Sequence, residues 1–393
     1  MQASILPLGQ QETISDCAFD FYGLRLASCG LDAKIRLFRL DESTGEWTSE
    51  TEWRAHDAPI SRVAWAHPEQ GNVIASSSFD RTVKIWQEAE RTAASPAPRW
   101  IERAVLTEAR GSVRDLAFAD SRNGFKLATI SADSMLRVYE CVEIYNVSAW
   151  TMTEELDVST FGGTTPSLTP AVIPTPGLEN GSPSSSDGIL GRPATPSLTH
   201  ASRLAASAGS REAESGWCLS WCKERSYDIL AVSSGTTPTV KIISLQSPPA
   251  RPVLLASLDH RPPERMPPQA ITSISWAPMS GRSYHLIATG SRDAQVRVWK
   301  LKVNAPTTSI VDDEREREKE KWTAALVGEF GDHKSAVGRV EWNVTGTVLS
   351  SAGDDGQIRF WKALSNVWRK IGSFNTHHLV DNDATGDEDT MMG

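Results

Sequence analysis

Five aspartates occur at one spacing, and acids that recur in register could act as general acids and bases or hold a metal ion. Asp32, Asp80, Asp133, Asp293 and Asp355 lie six residues before Phe38, Trp86, Tyr139, Trp299 and Trp361, respectively. Each time, a short apolar stretch leads into the acid and an alternating stretch runs from it to the aromatic. An aspartate that opens a tight turn accepts hydrogen bonds from nearby backbone N–H groups, and that structural task recurs as often as the turn does. Catalysis needs acids that converge on one place, not one acid per turn. The pattern therefore assigns all five to turns and none to a reaction.

The other reactive side chains point the same way. Cys17, Cys29, Cys141, Cys218 and Cys222 are odd in number and form no CxxC pair, so they read as reduced, buried, small apolar residues rather than metal ligands. No GxSxG elbow, HExxH pair, glycine-rich phosphate loop or zinc-deaminase signature occurs. No catalytic site, metal or cofactor is expected, and the chain reads as a non-enzyme. A formal net charge of -9 argues against a phosphate backbone as the main partner. The start, MQASILPLGQ, lacks a basic segment followed by an apolar run, and no stretch is long enough to span a bilayer. A cytosolic or nuclear compartment is the expectation, which leaves the sequons at Asn146 and Asn343 as chance matches.

The elements that must carry the aspartates are short strands. LASCGLDAKIRLF, VIASSSFDRTVKIW, KLATISADSMLRVY, LIATGSRDAQVRVW and VLSSAGDDGQIRFW are five copies of one strand, turn and strand unit. Upstream of each comes another alternating strand, namely ISDCAF, ISRVAW, VRDLAF, ITSISW and VGRVEW, ending at Phe19, Trp65, Phe118, Trp276 and Trp342. These terminal aromatics account for the 14 tryptophans, which outnumber 10 Phe and 5 Tyr. A weaker copy has CLSW ending at Trp221, then ILAVSSG, with Thr236 at the aspartate's place and a strand ending at Ile242. A three-strand unit cannot cover both its faces alone, whereas stacking around a central channel does. The expected fold is an all-β propeller of six blades in one domain, with units near 13–38, 56–86, 111–139, 216–242, 260–299 and 333–374.

Most propellers close by letting one terminus supply a strand to the other's blade, which removes two sheet edges. That device is hard to find here. VWRKIGSF, after Trp361, can form the outer strand of the sixth unit unaided, and the first unit begins at Ile14. Six units then predict an open ring with a slot between the first and last blades. Phe19, Leu26, Val348 and Trp361 are the candidate apolar contributors to that slot.

At this stage the residues resemble a known family, the pair of WD-repeat proteins shared by vesicle coats and the nuclear pore. The resemblance rests on ISDCAFDFYGLRLASCGLDAKIRLF, WRAHDAPISRVAWAHPEQGNVIASSSFDRTVKIW and ISWAPMSGRSYHLIATGSRDAQVRVW, and it covers nearly all the folded chain. GRSYHLIATG and YNVSAWTM look like the nuclear-pore member, the Sec-thirteen-homologue nucleoporins. In WD repeats His56, His260 and His333 occupy positions that often carry a structural histidine. The resemblance implies an incomplete propeller completed in trans by a blade from an α-helical nucleoporin of the Y-shaped complex at the nuclear envelope. It implies a hetero-oligomer and a role in pore assembly and in protein and mRNA transport. A second membership also follows, in the coat-like complex at the vacuolar or lysosomal surface that regulates TOR signalling. The rivals are the vesicle-coat sister acting at endoplasmic-reticulum exit, and a substrate receptor for a ubiquitin ligase or a histone-peptide reader.

Three stretches fall outside the repeats. Residues 159–210 hold 31 Ser, Thr, Pro or Gly among 52, too polar to bury a core, and are expected to be a disordered loop between the third and fourth units. A charged insert at 303–322, containing DDEREREKEK, reads as a solvated face, and 376–393 as an acidic disordered tail. Within the first stretch Thr165, Thr169, Thr175, Ser182 and Thr195 each precede proline. Proline-directed phosphorylation would add negative charge there. Phosphosite mapping in cells is expected to find at least one of the five occupied; five unmodified positions would remove the idea.

Overall fold

Side chains on a strand alternate between its two faces, so a strand apolar on both faces needs cover on both. In the computed structural model, which describes residues 13–90, 99–143, 146–162, 216–224, 228–245, 251–259, 269–303, 322–364 and 367–375, the repeats form six four-stranded antiparallel sheets. Blade one comprises β1 (Ile14–Phe19), β2 (Arg25–Gly30), β3 (Lys34–Leu40) and β4 (Trp47–Arg54). Blade two has β5 (Ile60–Trp65), β6 (Val73–Ser78), β7 (Val83–Glu88) and β8 (Trp100–Leu106). Blade three has β9 (Val113–Phe118), β10 (Lys126–Ser131), β11 (Met135–Cys141) and β12 (Trp150–Asp157). Blade four has β13 (Cys218–Trp221), β14 (Ile229–Ser233), β15 (Thr239–Ser244) and β16 (Val253–Asp259). Blade five has β17 (Ile271–Trp276), β18 (His285–Ser291), β19 (Val296–Val303) and β20 (Trp322–Phe330), and blade six β21 (Val337–Trp342), β22 (Val348–Gly353), β23 (Gln357–Leu364) and β24 (Val367–Asn375).

Every sheet pairs its strands in chain order, so each blade comes from one stretch of chain and, among the described residues, no strand is exchanged between the first and last blades. These blades belong to a unit of Met1–Phe161 with Glu214–Gly393, and Gly162–Ala213 form a second unit. His260, the five Ser/Thr-Pro sites, the charged run 312–321 and the acidic tail lie outside the described residues. The 159–210 stretch begins differently from expectation. Lys241 Nζ of blade four donates to the carbonyls of Val158 at 2.6 Å, Ser159 at 3.3 Å and Phe161 at 2.7 Å, which holds that turn in place.

The five aspartates perform one local task. Each accepts a hydrogen bond from the N–H two residues on: Lys34 to Asp32 at 3.2 Å, Thr82 to Asp80 at 2.9 Å, Met135 to Asp133 at 3.0 Å, Gln295 to Asp293 at 2.9 Å and Gln357 to Asp355 at 3.1 Å. The residue between turns left-handed in all five, at Ala33, Arg81, Ser134, Ala294 and Gly356. Four of those residues carry a Cβ that this conformation disfavours, so the aspartate's hydrogen bond helps to hold an unfavourable turn. In blade two the acid also anchors a buried chain. His56 Nδ1 lies 2.8 Å from Asp80, His56 Nε2 lies 2.8 Å from Ser76 Oγ, and the Trp86 indole donates to Ser76 Oγ at 3.0 Å. Blade six repeats it with His333, Asp355, Ser351 and Trp361.

Two sequence readings need correction. In blade four, Leu230 pairs with Ile243, as Ile74 pairs with Trp86 and Ile287 with Trp299. The strand's terminal position is therefore Ile243, not Ile242, because the turn is one residue longer than in the other blades. Thr236 holds the aspartate's place only when counted from β14, and Gly235 supplies the left-handed residue with φ 68°. The tryptophans are also only partly explained by strand-terminal aromatics. Trp47, Trp100, Trp150, Trp322 and Trp368 stand at or near the start of outer strands. There they lie against the aromatic or histidine rings of their own blades, as Trp65 with Trp100 at 5.7 Å and Trp342 with Trp368 at 5.6 Å.

Among the described residues, five apolar clusters hold the blades together, one for each successive pair. Within the cluster region joining blades four and five, His285 is buried between Trp276 and Trp322, with ring centroids 5.5 Å from each. Burial, and then the Arg282 charge, lower its pKa from 6.5 to about 4. The imidazole is neutral in both folded and unfolded chains above the unfolded value. As pH falls below that value only the unfolded chain takes up the proton, so stability is lost until the folded site also protonates. The Glu224 carboxylate, 3.4 Å from Nε2, pulls the other way, which makes about 3 kcal/mol an upper bound on the loss. Thermal melts from pH 7 to pH 4 are expected to fall steeply across this window, and the slope should flatten in His285→Gln; an unchanged slope would place the acid sensitivity elsewhere.

Candidate functional site

The innermost strands carry a recurring device. In five blades a β-bulge, which adds one residue to a strand and re-aims its side chain, occurs near the start of the first strand. The extra residues are Ser15, Ser61, Arg114, Thr272 and Gly338. Ser15 Oγ donates to the Ile60 carbonyl of the next blade at 2.5 Å, Ser61 Oγ to Val113 at 2.5 Å, and Thr272 Oγ1 to Val337. Blade six has Gly338 at this position, with no hydroxyl to pass on. An added Cβ there would meet nothing closer than 3.8 Å, so packing within the chain does not require glycine.

One position further on stand Asp16, Arg62, Asp115, Cys218, Ser273 and Arg339. Asp16 accepts the Val63 N–H of the next blade at 3.1 Å, Asp115 accepts Leu219 at 2.9 Å, and Ser273 accepts Val340 at 3.1 Å. Arg62 lies 3.1 Å from Asp16 and 3.3 Å from Asp115. Arg339 of blade six reaches Asp16 of blade one. A chain of alternating charge therefore runs through blades six, one, two and three along the channel wall. Asp16, itself buried, joins three of those blades.

Outside this clasp the last and first blades have no shared core among the described residues. Ile60, Val63 and Trp65 of blade two pack toward blade one in the first cluster. Their counterparts in blade one are Ile14, Cys17 and Phe19, and all three are exposed, Phe19 by 58%. On blade six the pattern breaks on the opposite face. Ala27, Ala75, Ala128, Ala231 and Ala288 occupy one position in five blades with no exposure, whereas blade six has Ser350, half-buried. Ala352, Ile358 and Phe360 are likewise half-buried where the equivalent residues of other blades are buried. Phe374, whose ring lies 5.8 Å from Phe360, extends the same face. The tryptophan bonds that stitch neighbours, Trp65 to the Ala18 carbonyl at 3.0 Å and Trp342 to Ser275 at 3.1 Å, have no equivalent at Phe19, which lacks an N–H.

The four residues expected at the slot divide. Phe19 lies there exposed, and Val348 lies on the uncovered face of blade six, half-buried. Leu26 occupies the position that Ile74 uses to face the preceding blade, but it is buried. Trp361 does not face the slot. It is buried in the cluster between blades five and six, stacked on Phe330 at 4.2 Å, because its strand position points toward the preceding blade. Cys17, expected to be buried with the other four cysteines, is instead exposed, because no other blade packs on its face of β1 among the described residues; Ser350, Ala352, Ile358 and Phe360 were not expected at the slot. The broken alanine column at Ser350 was the available signal.

Cys17 offers a direct test of the open faces, since the other four cysteines are buried. Burial beside the strand and then the Asp16 charge push its thiol pKa up, so mildly alkaline buffer suits the measurement. Maleimide labelling of the native chain is expected to show one fast-reacting thiol, absent in Cys17→Ser. Slow labelling of all five would mean that this face of blade one is covered by its own chain.

The chain matches the WD40 family (WD domain, G-beta repeat) at residues 4–39, 47–87, 265–300 and 324–362. It is 31% identical to Nucleoporin SEH1 of Saccharomyces cerevisiae over 90% of this chain and 94% of that protein. It is 31% identical to Nucleoporin seh1 of Schizosaccharomyces pombe, covering 94% and 96%, and 30% identical to Nucleoporin SEH1 of Homo sapiens, covering 92% and 85%. The crystal structure of Saccharomyces cerevisiae Sqt1 superimposes with a TM-score of 0.56 at 13% identity, over 91% of this chain and 72% of that one, a likeness of fold. With six four-stranded blades and relatives matched along nearly their whole length, the chain belongs to the nucleoporin SEH1 family of WD-repeat proteins.

Proposed function

We propose that the chain is a structural scaffold subunit of the nuclear pore, and that its slot receives a blade-forming segment of an α-helical nucleoporin of the Y-shaped complex. The observation that carries this reading is the pair of uncovered faces, Ile14, Cys17 and Phe19 on one side and Ser350, Ile358 and Phe360 on the other. An inserted sheet would supply both faces at once. Each large apolar side chain taken from exposed to buried would contribute about 1.5–3 kcal/mol. Backbone hydrogen bonds would add register but little selectivity between side chains.

The relatives' names support a place in the pore for this chain, and the nuclear envelope as its location. Support for pore assembly and for protein and mRNA transport follows from a scaffold role. Membership of the coat-like complex that regulates TOR signalling at the vacuolar or lysosomal surface belongs to the same proposal. One slot holds one partner at a time, so a single copy would serve one complex or the other. No reaction is assigned to the chain, because its recurring acids are engaged in turns and its buried histidines in fixed hydrogen bonds.

Native affinity purification of the tagged chain, with mass spectrometry of stoichiometric partners, is expected to recover an α-helical nucleoporin and other members of its complex. In that complex Cys17 labelling should slow relative to the free chain, because an inserted blade would exclude water and reagent from the thiol. Recovery of vesicle-cage subunits alone, or a partner that leaves Cys17 equally reactive, would overturn the reading.

A further inference from the structure

The slot-side face of blade six changes character along its length. The register sets Ala352 beside Ile358, Ser350 beside Phe360, and Val348 beside Lys362, which itself lies opposite Arg369. Residues two apart on a strand share a face, so these rows all belong to the uncovered one. The next row pairs Leu364 with Val367, both exposed. Two cations therefore stand between apolar rows on the face left without a neighbour.

Like charges directly opposite on neighbouring strands repel and destabilise the sheet that carries them. At the same positions the other five blades never place two charges of one sign; Arg39 lies opposite Thr48, Glu140 opposite Thr151 and Lys300 opposite Ala325. The cations among these are answered within their own blades. Arg39 pairs with Glu50 at 2.9 Å, and Lys300 Nζ lies 3.9 Å from the centre of the Tyr284 ring. Lys370, on the opposite face of blade six, holds Asp332 at 2.8 Å. Lys362 and Arg369 are exposed and have no ion-pair partner among the described residues. Glu341, a carboxylate on their own face, is engaged by Arg339 at 3.4 Å. The pair costs the free chain stability and returns it only when an anion arrives from outside.

Free phosphate would use the two cations and gain nothing from Phe360, Leu364 or Val367, and a flat bilayer cannot enter a slot between blades. A folded segment that mixes carboxylate and apolar side chains uses both features together. We infer that the segment received by the slot carries a carboxylate that meets Lys362 and Arg369, two residues along its strand from an apolar side chain that packs on Phe360. This rests on the slot reading and adds the chemistry that selects one segment and one register. Apolar burial alone tolerates many sequences, whereas a charge met by a charge fixes which rows face each other.

The test is carbodiimide cross-linking, which joins an amine to a carboxylate in contact with it, applied to the unaltered complex recovered by native purification of the tagged chain. Mass spectrometry is expected to find Lys362 joined to an aspartate or glutamate of the inserted segment. No cross-link from Lys362, or one only to residues 376–393 of its own chain, would overturn the inference. Lys362→Glu separates recognition from stability. It sets opposite charges across the strands, so the free chain should melt at an equal or higher temperature, while partner recovery should fall by at least about tenfold, as when one member of a covered charge pair is lost. A pair that served only the fold would show the gain in melting temperature and no loss of partner. Phe360→Asp reports on the slot itself. Partner lost with Phe360→Asp but kept with Lys362→Glu overturns this inference alone, whereas partner kept with both overturns the slot reading as well.

Discussion

A β-sheet with apolar residues on both faces is stable in water only if both faces are covered, and the rest of this molecule follows from that demand. Six blades present twelve faces, and the five clusters between successive blades cover ten of them. The two left over belong to the first and last blades. Among the described residues every blade is built from its own stretch of chain, and no strand is lent across the junction to compensate. Among the described residues the blades are complete in strands, and the first and last share no apolar cluster.

What joins the ends is electrostatic. Asp16 receives Arg62 from blade two and Arg339 from blade six, and its second oxygen takes the Val63 N–H. A buried carboxylate with several donors is held firmly, while losing one partner of such a group costs about 3–5 kcal/mol because the other charges stay buried. This clasp sits at the channel wall. The outer parts of the two blades carry no comparable contact, so among the described residues the first and last blades are tied only at the centre. Substitutions at the junction fit that division. Gly338 replaces the hydroxyl that bridges blades elsewhere, Phe19 replaces an indole donor, and Ser350 replaces a buried alanine.

Much of this was legible in the residues. The spacing from aspartate to aromatic located five of the six hairpins, since a turn stabilised by its own side chain is a local object. The weak unit was read one residue short, because counting forward and counting back disagree when a turn gains a residue, and only the pairing of Leu230 with Ile243 decides between them. The outer-strand tryptophans escaped a reading centred on strand ends. Trp361 was misplaced for a related reason: alternation says that a residue lies on one of two faces but not which neighbour that face meets.

Sequence by itself determined the repeat, the all-β class, the turn role of Asp32, Asp80, Asp133, Asp293 and Asp355, and the count of six blades, all of which depend on residues close together along the chain. It also yielded the expectation of an open junction, from the absence of a strand to lend. Only the tertiary structure decided which side chains stand at that junction, and that Asp16 clasps Arg339 across 323 residues of chain. Those groups come from different blades. Their meeting depends on how sheets stack around an axis, a quantity that no periodicity within a single repeat contains.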